Sequence, residues 1–349
     1  MKTSASFLLL FFCLTQSAFS NSFDDAVKDA LGIYNAGDFD KAFQLFNKHA
    51  DAGHAGAQYQ TGVMYLQGQG VAKNYAEDLH WLELSAAQNE PAAHYNLGIV
   101  YQQGLGVKAD IVKANQWFAS GAELGDVSAM FNIGNAYLHG NGVKQDYNRA
   151  LNYFKQAADL GQDYAMFNIG HMYENGKGVE INNPRAFSWY SKGADKGQAR
   201  AHAALARIFA NGIGLIPSQN KAFKYHLIAA ESGHVPSQLS AGFAYMTGTG
   251  VKRDLEQAVI WTKRAAEQSL PQAQYNLGTM YFRGLGLKKN DKLGYAWMYL
   301  ASLSNHPGAL QDVNVTLAKN FPADKIARSR KLAEELKDKY QLTMNAYFD

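Results

Sequence analysis

The sequence predicts an all-α chain built as a solenoid of stacked helix hairpins. Three observations carry that prediction: aromatic residues recur every 36 residues, glycine pairs recur at the same interval, and the residues between them follow a helical period. One aromatic series is Trp81, Trp117, Tyr153, Trp189, Tyr225, Trp261 and Trp297. A second is Tyr65, Tyr101, Tyr137, Tyr173, Phe209, Tyr245 and Tyr281. G-x-G pairs stand at Gly68/Gly70, Gly104/Gly106, Gly140/Gly142, Gly176/Gly178, Gly212/Gly214, Gly248/Gly250 and Gly284/Gly286. Seven copies stay in phase without an insertion, defining units 57–92, 93–128, 129–164, 165–200, 201–236, 237–272 and 273–308. A fixed period of this length marks a repeat architecture.

Each unit reads as two helices, A and B. In helix A, Ala93, Leu97 and Tyr101 are spaced i, i+4, i+8, one apolar stripe. Gly98 sits beside that stripe, and glycine recurs at 62, 98, 134, 170, 242 and 278. A glycine inside a helix costs about 1 kcal/mol relative to alanine. Its recurrence predicts that another helix approaches closely there. The G-x-G pair ends helix A and turns the chain. Helix B then carries Ala114, Trp117, Phe118 and Ala122 and stops at Gly125. Asn89, Gly161, Gly197, Gly233, Ser269 and Asn305 occupy the same place, which suits a left-handed C-cap. The tryptophans, at helix-B spacing, belong to the core. One hairpin cannot bury its aromatic face alone, but stacked neighbours can.

The flanks read differently. Residues 1–20 have the form of a signal peptide: Lys2, the apolar run Phe7 to Leu14, then Ser17-Ala18-Phe19-Ser20 with small residues before a cut after Ser20. Eight apolar residues are too few to span a bilayer core of about 30 Å. The expected mature chain is exported, with no integral membrane segment after cleavage. Residues 21–56 read as a degenerate opening unit, with Leu31-Gly32, Tyr34 and Gly37 in place of the first half and Ala42, Leu45 and Gly53 in place of the second. Beyond residue 308, segments 309–319 and 323–339 look helical, separated by Phe321-Pro322-Ala323-Asp324. Residues 309–349 are therefore expected to cap the last unit.

Composition excludes several function classes. Lys+Arg is 33 against Asp+Glu 30, a net charge of +3, which argues against nucleic acid or an anionic membrane as partner. Cys13, the single cysteine, lies in the leader, so the expected mature chain has no disulfide and no thiolate metal site. No H-E-x-x-H, G-x-S-x-G or P-loop is present, and the histidines lack ligand spacing. The glycine pairs follow helices rather than strands, unlike a dinucleotide fingerprint. Neither a metal nor a cofactor is expected, and no catalytic residue is assigned.

The pattern A-x-Y-x-L-G-x-x-Y-x-x-G-x-G-V, then D-x-x-x-A-x-x-W and A-A-x-x-G, resembles the Sel1-like repeat family. That family is a cousin of the tetratricopeptide repeat. The resemblance covers residues 57–308 and implies a right-handed α-solenoid whose helix-A face lines a concave groove. It also implies the role of a protein–protein adaptor. In peptide-binding tetratricopeptide clamps, an asparagine just before the Leu-Gly pair holds a ligand's carboxylate or backbone. Asn96, Asn132, Asn168 and Asn276 match that position. Asparagine is a poor residue inside a helix. The other reading is that these amides bond to a neighbouring helix backbone.

Asn135, His139, His171 and Arg207 lie on the same helical line or beside it, with Tyr164 and Arg200 at helix-A starts. The fifth unit departs from the pattern, with Ala203, Ala204 and Ala206 in place of the aromatic, the asparagine and the glycine. This reads either as a small notch flanked by Arg200, His202 and Arg207 or as drift of a tolerant repeat. The expected function is an exported, non-catalytic scaffold, periplasmic or secreted and monomeric, that binds a protein or peptide in the groove. Two alternatives are a cell-wall or β-lactam-binding protein, like cysteine-rich relatives of the family, and a lumenal adaptor of a eukaryotic secretory pathway.

Overall fold

The computed structural model describes residues 25–343, all of whose regular structure is helical. The leader expected at 1–20, with Cys13, lies outside the described residues. Helices α1 (Asp25–Asn35) and α2 (Phe39–Asp51) form the opening hairpin. The A helices that follow are α3 (Ala55–Gln67), α5 (Pro91–Gln103), α7 (Val127–His139), α9 (Asp163–Asn175), α11 (Ala199–Asn211), α13 (Val235–Thr247) and α15 (Pro271–Arg283). They alternate with B helices α4 (Tyr75–Ala86), α6 (Ile111–Glu123), α8 (Tyr147–Asp159), α10 (Asn183–Asp195), α12 (Gln219–Glu231), α14 (Leu255–Glu267) and α16 (Asp291–Leu303). The chain divides into two compact units, one ending at Leu160 and one starting at Gly161.

Helix ends follow from the repeated residues. Each B helix is capped by an Asp, Asn or Ser. Asp110, Asp146 and Asp254, for example, accept the backbone N–H of Lys113, Arg149 and Gln257. A left-handed residue follows the end of each B helix, as the pattern predicts: Gly125 has φ +94°, and Asn89, Ser269 and Asn305 stand near +60°. The first glycine of each G-x-G pair closes helix A in the same left-handed region, Gly104 donating its N–H to the Val100 carbonyl. The second glycine does something else. A Cβ on Gly70, Gly250 or Gly286 would stand 2.1 Å from the carbonyl oxygen of Phe39, Gln219 or Leu255. These carbonyls belong to the start of the preceding B helix, so the turn needs this glycine to let backbones touch.

The mid-helix glycines do face a close neighbour. An added Cβ would be 2.4 Å from the Phe118 ring at Gly98, 2.8 Å from Phe154 at Gly134 and 2.7 Å from Tyr190 at Gly170. Each of these rings pairs with an aromatic of its own A helix: Tyr95–Phe118, Phe131–Phe154 and Phe167–Tyr190, with centroids 5.6–5.9 Å apart. In the fifth copy Ala206 replaces the glycine and the smaller His226 replaces the ring.

After α16 the chain continues as α17 (Pro307–Gln311), a π-helical turn over Asp312–Leu317, α18 (Ala318–Asn320) and α19 (Ala323–Tyr340). Helix α19 lies on α16: Leu332, Ala333, Leu336 and Tyr340 join a core with Trp297, Leu300 and Ala296. Lys325 Nζ donates to Asp291 Oδ2 at 2.9 Å, and this bond holds the Asp291 carboxyl below the usual carboxylate range. The segment covers an apolar surface that no further repeat covers.

Candidate functional site

The A-helix residues singled out by the sequence are placed as follows. In the first compact unit, Asn96 is buried beside Tyr59, and its Nδ2 has no hydrogen-bond partner among the described residues. Asn132 is half-buried and donates from Nδ2 to the Ser128 carbonyl at 2.8 Å, one turn back in its own helix. Asn135 is half-buried and His139 is exposed at the end of α7. In the second unit, Asn168 and His171 are half-buried, and the His171 ring stacks on Phe167. Asn276 accepts from Gln272 Nε2 at 2.9 Å. Thus Asn132 and Asn276 bond within their own helices, whereas Asn96 lies against Tyr59 of the preceding A helix.

Tyr164 and Arg200 come together. Both are exposed and line a shallow cavity of about 300 Å³ at the B-to-A turns, with Asp163 and His234. Burial raises the Asp163 carboxyl above its ordinary value. Arg207 is anchored on a residue that sequence reasoning missed: its guanidinium donates to both Glu174 carboxylate oxygens at 2.5 and 2.6 Å. Glu174 also accepts from the Tyr190 hydroxyl at 2.9 Å, and burial with this carboxylate raises the phenol's pKa. His202 is buried, its Nδ1 3.1 Å from the Gln198 carbonyl, and Ala204 and Ala206 are buried with it.

A second cavity, of about 600 Å³, opens on the same helical line one unit beyond Arg207. Ser240, Phe243 and Asn276 line it, together with Ala210, Phe223 and His226. Phe243 is 53% exposed, unusual for an aromatic in this chain. Burial and the nearby His234 lower the His226 imidazole to about 4, so it is neutral at physiological pH. Its Nδ1 lies 3.2 Å from Ser237 Oγ.

A further polar series was legible in the period but not in its purpose. Gln58, Gln238 and Gln274 are buried at one position of the repeat, each donating to a carbonyl at the end of the preceding B helix at 3.3 Å. His94 and His202 occupy that same position. Among the described residues, no group of three His, Cys, Asp or Glu could hold a metal ion. No described helix is long and apolar enough to cross a membrane.

Tandem hairpins of one length, capped at fixed places and packed through one set of aromatic pairs, define a helical-repeat protein. The Sel1 repeat model matches residues 31–54, 55–90, 91–126, 127–162, 163–198, 199–234, 235–270 and 271–306, and the chain belongs to the Sel1 repeat family. Its first matched copy falls in the opening hairpin. Among solved structures, a Sel1 repeat protein from Oxalobacter formigenes is 36% identical, over 68% of this chain and 98% of that one, with a TM-score of 0.65. A protective antigen present in uropathogenic Escherichia coli strains, with an SLR fold, is 26% identical over 90% of this chain and 84% of that one, with a TM-score of 0.42. A comparison with curated proteins found no match. The Sel1 repeat solenoid is typical of protein–protein interaction scaffolds, and the family is generally non-catalytic.

Proposed function

We propose that the protein is an exported, non-catalytic scaffold that binds a protein or peptide partner along its A-helix face. The observation that carries this reading is a division of labour within the repeat. Aromatic pairs pack each A helix on its own B helix, while the A helices also carry polar residues, of which His139 and Arg200 are exposed. A repeated surface of this kind suits an extended segment of another chain. The leader read at residues 1–20 supports an exported protein, periplasmic or secreted. The near-balanced charge supports a protein rather than a nucleic acid as partner.

A crosslinking pull-down from source cells tests the reading, with one alanine variant for each compact unit: Asn132, Asn135 and His139 in the first, Asn168 and His171 in the second. Retention of one partner by the native protein and its loss from at least one folded variant is the expected result. A partner held equally by native protein and both variants would move the site off the A-helix face. Capture of none would remove the scaffold reading.

A further inference from the structure

The 600 Å³ cavity has an internal reference, because the repeat shows what fills the same place one unit earlier. In that unit the space holds a three-residue constellation. The Tyr190 hydroxyl bonds to Glu174, and Glu174 in turn holds Arg207. Moving each residue forward by one 36-residue period gives His226, Ala210 and Phe243. All three line the cavity. A phenol has become a smaller imidazole. A carboxylate side chain has become a methyl, the smallest of the seven residues at that position: Leu66, Gln102, Leu138, Glu174, Ala210, Met246 and Phe282. The salt-bridging arginine has become a half-exposed phenyl ring.

The aromatic pairing fails at the same place. At one pair of repeat positions, three of the described units set a ring from helix A against a ring from helix B: Tyr95–Phe118, Phe131–Phe154 and Phe167–Tyr190. At those two positions the fifth unit has Ala203 with His226 and the sixth has Leu239 with Thr262, although Phe209 still stacks on Tyr225 elsewhere in the fifth. The vacancy is therefore made by side chains that the repeat elsewhere supplies.

The lining sets the chemistry of an occupant. No lysine, arginine, aspartate or glutamate lines the cavity, and its histidine is neutral at physiological pH. A charged group would lose its hydration there without a counter-ion. Phe223 and Phe243 offer ring faces and edges, and Gln272, Ser240 and Asn276 offer amide and hydroxyl groups suited to a peptide backbone. The volume is that of a small-ligand site rather than a packing defect.

We infer that this cavity is an anchor pocket for an uncharged aromatic side chain, presented by a peptide segment of the partner and replacing the ring that the fifth repeat lacks. The inference rests on the scaffold reading for the source of that segment, but not for the chemistry of the pocket.

Ligand-observed NMR on the purified protein tests it, using N-acetyl-phenylalaninamide, N-acetyl-leucinamide and N-acetyl-aspartate amide as probes. Two variants serve as controls. Phe243→Ala removes an exposed wall. The combination Ala206→Gly, Ala210→Glu, His226→Tyr and Phe243→Arg rebuilds the constellation of the preceding unit and fills the space with residues the fold already accepts. The expected result is binding of the aromatic probe at about millimolar concentration, as ligand efficiency allows for a fragment. The aspartate probe should not bind, and the leucine probe should bind more weakly. Both variants should keep the native melting temperature and lose at least tenfold in aromatic-probe affinity.

Absence of aromatic binding to native protein, or equal binding by the filled variant, would overturn the inference. The two readings separate in the pull-down. A partner retained by both pocket variants but lost from an Asn/His variant would leave the scaffold and remove the anchor. Aromatic-probe binding with no captured partner would leave the pocket and remove the scaffold.

Discussion

Asp78 is wholly buried in α4, and neither of its carboxyl oxygens has a hydrogen-bond partner among the described residues. The other copies carry Ala42, Ala114, Ala150, Ala186, Ala222, Ala258 and Gly294 at this position. Thr61, also buried with an unpartnered hydroxyl, stands where Leu97, Ile133, Ile169 and Leu205 form the core stripe. Burial pushes the Asp78 carboxyl up to about 7. An acid whose folded pKa exceeds its unfolded value binds its proton more tightly in the native state. Its contribution is therefore fully present below pH ~4 and is lost as pH rises from ~4 to 7. Asp78→Ala should stabilise the protein at pH 8 by about 1–3 kcal/mol, the cost of a buried unpaired polar group. It should also flatten the stability profile between pH 4 and 7. Urea melts at pH 4, 6 and 8 check this, and a variant less stable than native at pH 8 would contradict it.

Glycine positions show how much one residue type reveals. The recurring glycine at 98 and its equivalents was legible as a cost repaid by close approach, because only packing explains a repeated unfavourable residue. Gly98→Ala places a methyl against Phe118 and should cost about 1–3 kcal/mol by denaturant midpoint. The second glycine of each G-x-G pair read only as part of a turn. Its partner, a carbonyl 31 residues back at Gly70, Gly250 and Gly286, is set by tertiary stacking that no local spacing displays. Glu174 was hidden for the same reason: alone in its column as a carboxylate, it acquires meaning only when Arg207 and Tyr190 arrive from other helices.

Among the elements, the B helices share one design. Asp38, Asn74, Asp110, Asp146, Asn182, Ser218, Asp254 and Asn290 recur at the 36-residue period, and each caps its helix. The residue three places on from four of these caps brings a cation over the aromatic that ends helix A. Lys113, Arg149, Arg185 and Lys221 lie 3.9–5.5 Å from the rings of Tyr101, Tyr137, Tyr173 and Phe209. These caps recur because Asp, Asn and Ser share the acceptor that a helix N-terminus needs. The overlying cation is not marked by local spacing, because its ring belongs to the preceding A helix. Asp146→Ala should cost about 1 kcal/mol, read as a drop in thermal midpoint. Removing a wholly buried ring such as Phe154 by alanine should cost about 3–5 kcal/mol.

At the scale of the molecule, a repeat array is stable through nearest neighbours, so an uncovered end weakens the units beside it. Truncation before Ala323 removes α19 and uncovers Trp297 and Leu300. Hydrogen exchange should then accelerate first in α16 and α15 and leave α3 to α8 unchanged; uniform acceleration would contradict nearest-neighbour coupling. The repeat, its phase and its hairpins were legible from periodicity because each copy repeats the same packing problem. The cavity beside Phe243 was not, because it arises from what the fifth and sixth copies lack. The central claim is that a partner binds the A-helix face. Hydrogen exchange of the protein with and without its captured partner tests it most directly. New protection is expected in A-helix peptides, such as those spanning 127–139 or 235–247, with the B helices unchanged. Protection confined to the B helices or to residues 307–343 would contradict it.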